Sequence, residues 1–378
     1  MANTMAGQSF SGRADRFWQR VTDGMQLSQL WEQFRADARS SYRLYSNDVD
    51  QERRAGESQG RHALHMAGKF FWAVMEKLTP ARRLLLLIGL VLLFSGIQGV
   101  WQSANGLWIR NSFWGGLLLL ALLLMEVGDR VVMKRDLQIA KEIQAWLLPS
   151  SPPAVPGLAI AFATRAANTV AGDYYDIFPR PGCEGPNPTF LIAIADVAGK
   201  SVPAAMLMAT FQASLKTLSA ACTSLADLVP KINTYACTNS QNGRRFTTAF
   251  IAEFDPSTRM LTYINAGHNS PILLRASGAV ERLQAGGMPL GVMDQAPYQS
   301  AAVTLQPGDW VAAFTDGVIE AENPVQAQYG EDRLLTMLRW GAAMPPQALL
   351  DTILADITRF AQNAPQHDDI TCMLLRAA

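Results

Sequence analysis

Residues 190–200 read FLIAIADVAGK, an apolar run from Phe190 to Ala195 that stops on Asp196 and is followed by Val197, Ala198, Gly199 and Lys200. A short apolar run closed by a glycine-containing turn has the form of a strand buried on both faces, with the carboxylate placed where the strand ends. Two more segments repeat this form. The run 310–315 stops at Asp316-Gly317, and the pair Asp368-Asp369 immediately precedes the strand-like run 370–375. A fourth carboxylate, Asp173, follows Ala171-Gly172 in VAGDYYD, residues 170–176. Carboxylates at strand ends, beside glycines that let the chain turn sharply, can converge on one point.

Outward from these segments the texture is mixed α and β. Further strand-like runs occupy 158–164, 247–254, 260–265 and 271–275, and helical patterns occupy 203–220, 225–237, 331–340 and 347–361. Several strands follow one another directly across turn signals such as Asp255-Pro256 and Ser277-Gly278, which predicts antiparallel pairing. The helices cluster between strand groups, so residues 151–378 are expected to form an α+β domain of sheets covered by helices.

Four carboxylates brought together repel unless cations neutralise them, and hard oxygen ligands suit Mg²⁺ or Mn²⁺. Two such ions about 3.5–4 Å apart share a water, lower its pKa and hold it in line with phosphorus. The pattern therefore points to hydrolytic phosphoryl transfer without a covalent enzyme intermediate. No P-loop, Ser-His-Asp arrangement or cysteine nucleophile motif competes with it. Each piece alone is weak, since Asp-Gly is usually a turn and an aspartate at a strand end is usually a solvated cap. The order and spacing of all four are more specific.

From about residue 137 to residue 376 the sequence resembles the SpoIIE/RsbU-type branch of the PPM superfamily of metal-dependent Ser/Thr protein phosphatases. The resemblance lies in Ile143-Gln144, Leu147-Leu148-Pro149, Gly172-Asp173-Tyr174-Tyr175-Asp176 and Asp196-Val197-Ala198-Gly199-Lys200 leading into Pro203-Ala204-Ala205. It continues through Phe246-Thr247-Thr248, Asn265-Ala266-Gly267-His268-Asn269, Pro307-Gly308-Asp309, Thr315-Asp316-Gly317, Glu320-Ala321 and Asp368-Asp369-Ile370-Thr371. It implies an α-β-β-α sandwich with a dinuclear Mn²⁺ or Mg²⁺ centre at one end. By that resemblance Asp196 bridges both ions, the carbonyl of Val197 binds one of them, and Asp316 and Asp368 complete the coordination of the second ion, with Asp369 adjacent to it. Asp173 binds a metal directly or through water. The implied substrates are phosphoserine or phosphothreonine on STAS-type anti-sigma-factor antagonists in partner-switching circuits.

Two departures stand near the implied centre. Ala171 occupies a position where the family often has glycine, and so does Ser201, which either takes a left-handed backbone at a cost of about 1 kcal/mol or caps the helix entered at Pro203. His268 reads either as a general acid for the leaving alkoxide or as a structural residue of the Gly267-His268-Asn269 turn. Lys200 either attracts phosphate or is solvated, and the same holds for Arg244 and Arg245.

The amino-terminal part reads differently. The blocks 84–101 and 108–127 are strongly apolar, with Arg82 and Arg83 before the first and Arg130, Lys134 and Arg135 after the second. This predicts a two-helix transmembrane hairpin over 81–128, both ends facing the cytoplasm, which would anchor the catalytic domain at the inner membrane. Residues 1–80 show helical spacing without chemistry and read as a cytoplasmic helical segment. Residues 129–150 predict a linker helix, with Leu137, Ala140, Ile143 and Leu147 at spacings of three and four, before Pro149, Pro152 and Pro153 stop it. Such a helix could pair two copies into a homodimer.

The 32 basic and 32 acidic residues cancel, and no basic, aromatic-studded stripe points to nucleic acid, which argues against a nuclease. Cys183, Cys222, Cys237 and Cys372 have no CxxC spacing and read as reduced. The expected activity is thus a metal-dependent protein phosphatase. The alternative is a phosphatase fold kept as a non-catalytic interaction module, which predicts lost ligands; the sequence lacks none of them.

Overall fold

The computed structural model describes residues 71–72, 75–100, 107–181, 188–240 and 245–378. Most of the expected amino-terminal segment, the turn joining the apolar blocks, Cys183 and Arg244 lie outside these residues. The chain divides into two units, Met1–Arg130 and Val131–Ala378.

In the first unit, helix α1 (Pro80–Val100) packs antiparallel on the first part of helix α2 (Leu107–Leu147). The contact is close because Gly89 and Gly115 face each other: a Cβ on Gly115 would stand 2.8 Å from the Gly89 carbonyl. Arg82 closes the pair through Glu126 at 3.3 Å and Asp129 at 2.6 Å. The transmembrane expectation does not survive. Among the described residues no helix is long and apolar enough to cross a membrane. The apolar part of α1, 84–100, covers only about 25 Å at 1.5 Å per residue, against a hydrocarbon core of about 30 Å. In α2 the apolar stretch is cut at Glu126 and Asp129, and the helix runs on through charged sequence to Leu147. The inner-membrane anchorage inferred from the apolar blocks is withdrawn on this finding. The linker helix is also not a separate element; it is the second half of α2.

The second unit contains two stacked sheets. Its elements are β1 (Leu158–Arg165), β2 (Tyr174–Pro179), β3 (Phe190–Val197), α3 (Ser201–Ala221), α4 (Leu225–Thr238), β4 (Thr247–Asp255), β5 (Met260–Ala266), β6 (Ile272–Leu274), β7 (Val280–Arg282), β8 (Gly286–Gly287), β9 (Ala301–Thr304), β10 (Trp310–Phe314), α5 (Asp316–Ile319), α6 (Glu331–Trp340), α7 (Pro346–Ala361) and β11 (Ile370–Ala377). One sheet has the order β1-β11-β10-β6-β7, the other β2-β3-β4-β5-β8 with β9 on β5. Pairing is antiparallel throughout except for the two-residue β5–β8 ladder.

Period-2 alternation explains the layering. On β3, Ile192 and Ile194 face the other sheet, where they meet Val311, Ala313, Met373 and Leu375. Leu191, Ala193 and Ala195 face outward under α3 and α4, against Met208, Leu215 and Leu228. The opposite sheet is covered in the same way, with Trp310, Ala312 and Phe314 beneath Leu338, Leu350 and Ile353 of α6 and α7. Strands buried on both faces must be apolar at every position, which is why 190–195 and 310–314 read as continuous runs. The result is the four-layer α-β-β-α sandwich.

Candidate metal centre and active site

At one end of the inter-sheet space the same alternation changes from apolar to polar. Asp196 follows Ile192 and Ile194 on the inner face of β3, and Asp173 precedes Tyr175 and Ile177 on that of β2. Thr315 follows Val311 and Ala313, while Thr371 precedes Met373 and Leu375. The Thr315 backbone N–H donates to the Thr371 carbonyl at 3.0 Å, so these two threonines stand side by side. Each donates its hydroxyl to Asp173 Oδ2, at 2.9 Å from Thr315 and 2.5 Å from Thr371. Thr164 of β1 backs Thr371 at 2.8 Å. Asp173 is 2% exposed.

The electrostatics are those of surplus negative charge. Burial, then Asp316, Asp368 and Asp369, push the Asp196 carboxyl up to about 7. Burial, then Asp196, hold Asp173 well above the ordinary carboxylate range, against the opposing pull of Thr371. Asp316 is raised by burial and by Asp368. The one ammonium in direct contact with these groups among the described residues is Lys200, whose Nζ lies 2.9 Å from Asp368 Oδ2 and 2.5 Å from the His367 carbonyl.

No three of these carboxylates already close on a common point at ligand distance among the described residues. The donor set nevertheless fits hard divalent cations: all-oxygen groups, half buried or more, each raising its neighbours' pKa for want of positive charge. Val197 has its side chain buried in the α3 layer. Its carbonyl comes within 3.2 Å of where a Cβ on Gly172 would be, so it borders the same loop as Asp173.

Asp369 is occupied differently. Its Oδ1 accepts from the Ala167 N–H at 2.7 Å and its Oδ2 from the Gly172 N–H at 2.6 Å, so it holds the loop that carries Asp173. His268 is 6% exposed and does not reach solvent. Its Nδ1 pairs with Thr248 Oγ1 at 3.0 Å, and Thr248 stands opposite Asp196 in the β3–β4 ladder. Burial lowers the imidazole to about 4, so it is neutral, and its Nε2 has no hydrogen-bond partner in geometry, although the Phe314 carbonyl is near enough to offset part of that shift. The His268 backbone N–H donates to Asn265 Oδ1 at 2.7 Å. Ser201 has φ 63° as the first residue of α3, which begins at an uncapped Lys200. It therefore takes the left-handed backbone and does not cap.

Sequence reasoning assigns no role to the threonines or to Gln144. The threonines are signalled by parity, each extending an inward-facing apolar series by one step. Gln144 stands in α2 and forms a bidentate pair with the Ala171 backbone, donating through Nε2 to the carbonyl at 2.7 Å and accepting the N–H through Oε1 at 2.9 Å. Beside the acidic group a cleft of about 360 Å³ opens, lined by Arg165, Lys200, Glu320, Glu322, His367 and Asp368 among others.

The sandwich has a PP2C-like α+β fold. The SiaA-PP2C domain of Pseudomonas aeruginosa superposes with a TM-score of 0.58 at 22% identity, over 66% of this chain and 99% of that one. The model of the family described as stage II sporulation protein E (SpoIIE) matches residues 186–378, and the chain belongs to that family. Among curated proteins, Protein IcfG of Synechocystis is 28% identical over 276 residues, covering 66% of this chain and 42% of that protein. Phosphoserine phosphatase RsbU of Bacillus subtilis is 26% identical over 252 residues, 66% of this chain and 72% of that protein. The chain thus spans less than half the length of the first of these relatives.

Proposed function

We propose that this chain is a metal-dependent protein phosphatase that hydrolyses phosphoserine or phosphothreonine on a regulatory protein. The observation that carries the reading is the gathering of Asp173, Asp196, Asp316 and Asp368 at one end of the sandwich, where one ammonium, that of Lys200, faces several buried carboxylates. Two Mn²⁺ or Mg²⁺ ions, when bound, supply an activated water and positive charge for the phosphoryl oxygens. Asp196, Asp316, Asp368 and the Val197 carbonyl hold them as oxygen donors. Asp173 is kept in orientation by the hydroxyls of Thr315 and Thr371. Lys200 sets an ammonium at the mouth of the cleft, where it draws in a dianionic phosphoryl group. The cleft takes the peptide segment on either side of the phosphorylated residue.

The name of RsbU, phosphoserine phosphatase, supports the reaction, and the resemblance to that branch supports a phosphorylated STAS-type anti-sigma-factor antagonist as partner. Turnover of a phosphoserine peptide by the full chain is expected with Mn²⁺ and lost with a chelator. Bound Mn²⁺ without turnover of any phosphopeptide would favour the non-catalytic interaction module.

We also propose that α2 pairs two copies. Val132, Ile139, Ile143 and Trp146 of its second half are exposed, Trp146 by 79%, at spacings of seven, four and three that suit a coiled-coil seam. Sedimentation should show a dimer that Ile143→Asp dissociates; a monomer at all working concentrations counts against pairing.

A further inference from the structure

The second half of α2 has two stripes. Val132, Ile139, Ile143 and Trp146 are exposed, whereas Leu137, Ala140, Gln144 and Leu147 are partly or fully covered. In the covered stripe Gln144 is the polar member, 8% exposed. A buried primary amide must find partners for both its oxygen and its nitrogen, or it costs stability. Gln144 finds both on one residue, the backbone of Ala171, in the pattern a neighbouring strand would offer.

Ala171 leads directly into the loop that carries Asp173. Gly172 is tied to Asp369 by its N–H, and Asp173 to Thr315 and Thr371 by its carboxylate. The segment from Ala167 to Asp173 is thus held at three places: by Asp369, by the threonine pair and by Gln144. The first two stand where β11 begins and where β10 ends. Gln144 is the tie that comes from outside the sandwich.

We propose that Gln144 is a positioning residue for Asp173, fixing the Ala171 backbone so that the Asp173 carboxylate stays aimed at the metal-binding end of the inter-sheet space. The proposal rests on the phosphatase reading for its catalytic consequence, but not for its structural one. Groups that orient a ligand typically change metal affinity or activity 10–100-fold when removed.

The test uses the full chain with Gln144→Ala and Gln144→Glu. The glutamate keeps an acceptor for the Ala171 N–H and loses the donor to its carbonyl. Hydrogen exchange of the peptide containing 167–173 is measured beside Mn²⁺ binding by calorimetry and, where turnover is seen, kcat and KM. Gln144→Ala should speed exchange in 167–173 about tenfold, weaken Mn²⁺ roughly tenfold and lower kcat more than it raises KM, with Gln144→Glu in between. If Gln144→Ala fails to fold, Gln144→Glu carries the same comparison. Wild-type exchange and Mn²⁺ affinity in a folded variant overturn the proposal. Faster exchange and weaker Mn²⁺ binding in a protein with no phosphatase activity would uphold the positioning role while removing the phosphatase reading.

Discussion

Asp196→Asn is expected to lower metal-dependent turnover by about 10³-fold or more, the scale of several kcal/mol of lost transition-state stabilisation. It should also make the metal-free protein more stable at pH 8. The sign follows from the direction of the shift. The folded-state carboxyl titrates at about 7, above its ordinary value of 3.8, because burial and then Asp316 and Asp368 disfavour the charged form. Its favourable contribution is therefore complete below about pH 4 and is lost as pH rises through 7. Above pH 7 the ionised group costs on the order of a few kcal/mol unless a cation compensates. Asparagine removes the charge at nearly constant shape. Thermal unfolding between pH 4 and 8, with and without Mn²⁺, checks this. The wild type should lose stability toward pH 8 and regain it with Mn²⁺, while the variant loses less and regains less, its remaining slope coming from Asp173 and Asp316. An equal Mn²⁺-induced rise in the melting temperature of both proteins would remove Asp196 from the ligand set.

Gly317→Ala is expected to cost about 1–3 kcal/mol or more and to weaken Mn²⁺ binding at the same time. A Cβ at this position would stand 2.1 Å from the Asp369 carbonyl oxygen and 2.9 Å from its carbon, with the Asp368 carbonyl carbon at 3.3 Å. All three are backbone atoms of the segment that carries Asp368, so no flexible side chain can yield. Relief requires α5 and that segment to separate, and Asp316 and Asp368 separate with them. Gly128→Ala is the contrast, since a Cβ there meets nothing within 4 Å in the middle of α2 and alanine is the better helix former. A Gly317→Ala protein with unaltered melting temperature and Mn²⁺ titration would show that the two segments are not held apart by this contact.

Much of this was legible in the sequence because strands buried on both faces leave nearly uninterrupted apolar runs, and the ends of those runs are conspicuous. The runs ending at Asp196 and Asp316 became β3 and β10 within a residue or two. Strand β2 escaped notice because Tyr174–Pro179 carries Asp176, whose buried carboxylate interrupts the apolar run and is satisfied by the Tyr174 hydroxyl and by Lys216, forty residues away. The division of labour between Asp368 and Asp369 was hidden as well. Adjacent aspartates look alike in a sequence, and only the backbone N–H groups of Ala167 and Gly172 show that Asp369 is already engaged. The membrane expectation failed because, among the described residues, no helix is both long and apolar enough to cross a membrane, although the helices themselves are no shorter than the apolar blocks. In the linker, a spacing of three and four selected Ile143, whereas the side chain that meets the domain is its neighbour Gln144, because a polar residue is invisible to a search for apolar periodicity.

The inward faces of β3, β10 and β11 serve as hydrophobic filling along most of their length and as the acidic and hydroxyl-bearing end where β3 and β10 finish and β11 begins. The gap between the sheets, set by Ile194, Ala313 and Met373, is therefore also the gauge that sets how far Asp173 and Asp196 stand from Asp316 and Asp368. An enlarged or shrunken side chain at those three positions reaches the chemistry without touching it. Variants selected for thermal robustness by refilling this interior will drift in metal affinity even where every acidic residue is kept.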